Sequence, residues 1–148
     1  MGSPQSSPSP RLPVILVLAF SLFACTSEAK TETASLASAM DRYQRAEMPQ
    51  KATAAADVRA VVCATPEVVD AKNVCVGAID ATAKALALKH EVEVGLDDLE
   101  QHRITKDDPR AKELPQKLDD AERLLKEARA GMKDCDAKVL ALRMKHGV

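Results

Sequence analysis

Residues 110–146 read RAKELPQKLDDAERLLKEARAGMKDCDAKVLALRMKH, and their apolar positions decide the fold. Ala111, Leu114, Leu118, Ala121, Leu125, Ala128, Met132, Cys135, Val139 and Leu142 follow one another at steps of three and four. An α-helix turns once in about 3.6 residues, so this spacing gathers all ten side chains on one narrow stripe. A stripe sustained this long is the seam of coiled-coil-like packing, and it needs a partner of similar length. The partner lies just upstream. Val68, Ala71, Cys75, Ala78, Thr82, Ala85, Val92, Leu96 and Leu99 form a second stripe, on which Lys89 is the one charged residue.

Thr65-Pro66-Glu67 opens this second stripe with helix-start chemistry. Thr can cap free amides, Pro is tolerated at the first helical position, and Glu complements the helix dipole. Between the two stripes, residues 103–109 carry the turn signal Asp107-Asp108-Pro109. A hairpin centred near residue 105 makes facing positions sum to 210. Val68 then faces Leu142, Ala71 faces Val139, Val92 faces Leu118 and Leu96 faces Leu114. A slip of one heptad would match the stripes too. Gly95 falls opposite Pro115, so the regular helices are expected to stop there and leave an irregular tip. Helix from residue 66 to residue 94 alone spans about 44 Å.

Upstream again, Leu36, Met40 and Tyr43 share one helix face, and Pro49 is expected to break that helix near Met48. The pattern resumes as Ala54, Val58, Val61 and Val62 and ends near Ala64. The expected fold class is therefore all-α. It is a long antiparallel hairpin (66–102 and 110–146) with an N-terminal helix, 35–64, packed on it as in a three-helix bundle. Ile79, Leu86, Leu88, Leu124 and Leu140 lie off the main stripes and are expected to meet that first helix or a partner.

The first 25 residues follow another logic. Arg11 is the only charged residue of a Ser/Pro-rich opening, an apolar run follows from Leu12 to Leu22, and the segment stops at Leu22-Phe23-Ala24-Cys25. A run of eleven residues that includes Pro13 and Ser21 is too short to cross a bilayer, which takes about 20 apolar residues. The order of charge, apolar run and small residue is that of a secretory signal. It resembles the signal peptide of bacterial lipoproteins, whose lipobox cysteine is acylated and becomes the first residue after cleavage. Leu22, Ala24 and Cys25 match the lipobox, while Phe23 departs from the small residue usual there. The resemblance implies that 1–24 is removed and that Cys25 anchors the protein to the cell envelope. Thr26, a non-aspartate at the next position, implies the outer membrane facing the periplasm. Residues 25–34, polar and small, are expected to be a flexible tether ahead of the helical domain 35–148.

Composition limits what that domain does. Residues 1–24 hold one basic side chain, Arg11, of 21 and none of the 22 acidic ones, so the remainder carries 20 against 22. No basic field is left to hold nucleic acid or anionic lipid. Phe20 and Phe23 lie in the signal segment, leaving Tyr43 as the only aromatic of the mature part, which argues against base stacking, aromatic cages and sugar clefts. Alanine-rich helices pack closely through small side chains.

The compartment implied by the lipobox permits disulfides. In the chosen register Cys75 faces Cys135, and a bridge there would close a loop of about 60 residues. The rivals are Cys63–Cys75, if 64–73 were a loop, and no bridge at all; either pairing leaves one thiol over. No Cys-x-x-Cys, glycine-rich phosphate loop or Gly-x-Ser-x-Gly elbow is present, and no cofactor is expected. The nearest approach to a metal site is His90 with Glu93 and Asp98 with His102, each pair one helical turn apart. The ordinary reading of these four is a solvated charged face near the hairpin tip. Taken together, the residues lead to a non-enzymatic, lipid-anchored envelope protein that acts as a structural spacer or as an adaptor for a protein partner. A metal- or ligand-binding role for the His90–His102 region is the alternative.

Overall fold

The computed structural model describes the backbone from residue 20 to residue 148 and the side chains from residue 28 onward. Most of the signal segment 1–24, and the side chains of Leu22, Phe23, Ala24 and Cys25, lie outside the described residues. The described chain is all-α: α1 Phe20–Arg45, α2 Met48–Ala60, α3 Pro66–Glu100 and α4 Pro109–His146. No helix among the described residues is long and apolar enough to cross a membrane.

Helices α3 and α4 form the expected antiparallel hairpin, and its register is visible in several pairs. Lys145 meets Glu67, Lys138 meets Asp70, Cys135 meets Cys75, and Lys117 meets Glu91. Every one of these pairs sums to within two of 210, so the heptad-shifted alternative is not the one adopted. The stripes form the seam: Val68, Ala71, Cys75, Ala78, Ala85 and Val92 are buried on α3, and Leu114, Ala121, Ala128, Cys135, Val139 and Leu142 on α4. Toward the tip the seam loosens, and Leu96 and Leu118 are about half exposed.

The expected stop at Gly95 does not occur. Both helices run past it, α3 through Gly95 to Glu100 and α4 through Pro115 from Pro109. Gly95 permits this by leaving room for its neighbour, since a Cβ there would lie 2.5 Å from Leu114 Cδ2. Glycine here lets the Leu114 side chain pack against the α3 backbone, and it costs helix propensity without ending the helix.

The N-terminal part forms two helices, α1 and α2, parted at Ala46-Glu47 just ahead of Pro49, which sits in the first turn of α2. Both pack on the root half of the hairpin. Leu36, Met40 and Tyr43 from α1 join Ala54, Ala55 and Val58 from α2, and Val68, Cys75, Ile79, Cys135, Val139 and Leu142 from the hairpin, in one core. Ile79 is covered as expected, whereas Leu140 stays 58% exposed. α2 ends at Ala60 with Val62 almost fully exposed, so the expected helical continuation to Ala64 gives way to an extended connection. The root is therefore a four-helix bundle, and the remaining half of the hairpin projects from it as two helices alone.

The expected flexible tether is corrected. Residues 25–34 belong to α1, and Ala29, Glu32 and Thr33 are buried. The physical reason is that the 3–4 spacing of Leu36 and Met40 continues backward through Thr33 and Ala29, which are small enough to pack closely on the bundle. Thr33 Oγ1 finds no hydrogen-bond partner among the described residues.

Candidate functional site

The tip is built by capping chemistry. At the end of α3, His102 adopts a left-handed backbone (φ 58°). Its amide donates to the Leu99 carbonyl at 3.2 Å, and the Arg103 amide donates to the Asp98 carbonyl at 2.8 Å. This is the paired hydrogen-bond pattern of a glycine-type helix end, here carried by histidine. Ile104 then folds back and is buried, plugging the open end of the seam. Asp108 starts α4 by accepting from the Arg110 amide at 2.9 Å, and hydrogen bonds from the Arg110 side chain and amide hold its carboxyl below the usual range. The Arg103 guanidinium donates to Asp98 at 2.6 Å and also reaches Asp97 and Gln101.

These roles account for the sequence-predicted metal ligands. His90 and Asp98 border one cleft of about 250 Å³ with Ile104 and Leu114. Asp98 is engaged by Arg103 and Arg110, Glu93 lies 3.9 Å from Lys89, and His102 is the helix cap. Among the described residues no three His, Cys, Asp or Glu side chains are grouped so as to hold a metal ion. The structure thus brings two of the four expected ligands to one cleft and gives each carboxylate a basic neighbour.

The cap makes a measurable prediction. A non-glycine residue in the left-handed region costs about 1–2 kcal/mol, and glycine's extra unfolded-state freedom returns about 0.5–1 of it. His102→Gly is therefore expected to stabilise the protein by about 0.5–1 kcal/mol in urea unfolding. A lowered midpoint would instead assign the imidazole contacts that outweigh the backbone strain.

A second concave surface lies where α1, α2 and α3 meet. Tyr43, Met48, Ala52, Ala55, Ile79 and Leu86 line a mainly apolar groove of about 360 Å³. Lys51 crosses its edge, donating to the Tyr43 carbonyl at 2.6 Å with its ammonium 4.5 Å from the ring centroid. Burial raises the pKa of the Tyr43 hydroxyl, against the Arg59 charge and a hydrogen bond with Thr82. The groove was not legible beforehand, because its walls come from three helices whose relative placement no local pattern states.

The root end contains a buried acidic group that sequence reasoning missed. Glu32, in α1, is 8% exposed and accepts from the Ala64 amide at 2.7 Å and the Thr65 amide at 3.0 Å. It thereby supplies, from another helix, the N-terminal cap of α3 that the Thr65 side chain does not make. Burial pushes its pKa up, but the hydrogen bonds from Ala64 and Thr65 together prevail and hold it below the ordinary value. Nearby, Glu67 accepts from Lys145 at 2.6 Å and lies 2.8 Å from His146 Nε2; these bonds lower its pKa as well.

The two thiols singled out in the hairpin register, Cys75 and Cys135, are fully buried and bridged in the structure, with Cα atoms 4.8 Å apart. Among the described residues Cys63 is the free cysteine, half-buried against the core. The rival Cys63–Cys75 pairing is not adopted, because α3 begins at Pro66 and carries Cys75 onto the α4 seam. The sequence matches no protein-family model and no curated protein, and the fold matches no solved structure.

Proposed function

We propose that this is a lipid-anchored cell-envelope protein, without catalytic activity, that holds a helical hairpin away from the membrane as a spacer or an adaptor for another protein. The observation that carries the reading is the polarity of the fold. Glu32 sits beside Ala64 and Thr65, Asp41 pairs with Arg143, and Gln44 bonds Asp136, so α1 runs alongside α3 from root toward tip. Cys25 precedes Glu32 by two helical turns and therefore lies at the root. The tip at 101–108 is at the opposite end of α3, whose 35 residues span about 52 Å. An anchor at Cys25 would point the hairpin away from the bilayer with no flexible tether between lipid and fold. Dual acylation would suit a permanent mount, since one chain holds only marginally.

The test is the mass of the N-terminal peptide in protein isolated from bacterial membranes. A chain beginning at Cys25 and carrying acyl groups is expected, while Cys25→Ser retains residues 1–24. A wild-type chain that keeps 1–24, or begins elsewhere without acylation, overturns the proposal.

A further inference from the structure

We infer that the root end of the bundle is itself a membrane-contacting surface, with Val62 and Met144 inserted at the headgroup boundary of the lipid bilayer. This rests on the anchoring proposed above and adds to it an orientation. Val62 is 88% exposed and Met144 is 77% exposed, the two most open large apolar side chains among the described residues. They come from different segments, the connection after α2 and the last turns of α4. Both segments are held at the same end. The Val62 connection is fixed by the Glu32 bonds to Ala64 and Thr65, and the end of α4 by Lys145 and His146 on Glu67. Val148, 43% exposed, adds to the same end.

What covers this end follows from where the chain leads. Cys25, the first residue of the anchored chain in the anchoring proposal, precedes the buried Ala29 of α1 by about one helical turn, and α1 enters the bundle at its root. The surface that receives the lipid on Cys25 is thereby brought to the end that presents Val62 and Met144. The charges at this end are balanced and do not oppose a lipid surface. Glu32 and Glu67 are already engaged by amides and by Lys145 and His146, and Lys30 offsets Glu28. In this pose the hairpin stands off the bilayer.

The chain contains no tryptophan, so a single introduced indole reports its own surroundings. Full-length protein purified from membranes is reconstituted in vesicles of phosphatidylethanolamine and phosphatidylglycerol, with and without acyl-brominated lipid. Val62→Trp and Met144→Trp are expected to emit at shorter wavelength and to be quenched about twofold by the bromolipid, as for a group seated some 5–10 Å into the boundary. Lys106→Trp, at the tip, is expected to show neither effect. Root reporters that match the tip reporter overturn the inference. A blue shift without bromolipid quenching also overturns it, and assigns the surface to a protein or a second copy. Because the mass of the N-terminal peptide is read separately, loss of the anchoring proposal is distinguished from loss of this one. Both positions are open enough for indole, and circular dichroism checks that each variant is folded.

Discussion

Removing the Cys75–Cys135 bridge is expected to lower the free energy of unfolding by about 4 kcal/mol, the value for a cross-linked loop of 60 residues in the chain-entropy model. A protein of this size has about 5–15 kcal/mol in total, so the loss is a large share. The effect is large here because the rest of the seam is thin. Ala71, Ala78, Ala85, Ala121 and Ala128 make up much of what is buried between α3 and α4, and alanine removes little apolar surface from water. Urea unfolding of a Cys75→Ala/Cys135→Ala double variant, compared with wild type, measures it. A difference under about 1 kcal/mol would mean that the packing alone fixes the register. Both sulfurs are buried, so reductant is expected to act only after the chain opens. Non-reducing tryptic mapping should join peptides 73–84 and 134–138 and leave 60–72, with Cys63, unlinked.

Glu32→Ala is expected to cost about 3 kcal/mol, because hydrogen bonds to a charged group contribute about 1.5–3 kcal/mol each and two amides lose their acceptor. Glu32→Gln keeps one acceptor oxygen and is expected to fall roughly midway. The charge also makes stability depend on pH. The folded pKa of Glu32 is depressed, so its contribution is fully present above the unfolded carboxylate value of about 4.3 and is lost as pH falls through the folded value. Glu67 is shifted the same way and acts in the same acidic window, with less weight because it is partly open to solvent. Unfolding midpoints from pH 7 to pH 3 should therefore fall more steeply for wild type than for Glu32→Gln. Equal slopes would remove the cap from the account.

The hairpin was legible because its signals are local and repeated. Apolar residues at steps of three and four, sustained over about 30 positions on each side of a turn, fit a pair of packed helices and little else. Thr65-Pro66-Glu67 and Asp107-Asp108-Pro109 mark where those helices start and turn. The tip was read less well. Gly95 looked like a stop because its cost to a helix is visible in sequence, whereas its benefit is the approach of Leu114, nineteen positions away. His102 looked like a ligand because histidine usually suggests chemistry, yet its place is set by a backbone angle. The 25–34 stretch looked like a tether because Thr and Ala give a weak apolar period.

The sequence by itself determined the two long helices, their antiparallel pairing and the break before Pro49, and it left two registers of the hairpin, one of which puts Cys75 opposite Cys135. These follow from periodicity and from the backbone limits of proline, which act over a few residues wherever the chain is placed. Only the tertiary structure decided that α1 begins well before Ser35, that Glu32 caps α3, that α1 and α2 cover the root and leave the tip bare, and that the N-terminal segment enters opposite the tip. Each of those depends on which helix lies beside which, and a side chain such as Glu32 acquires its role only when an amide from 32 residues away is brought against it.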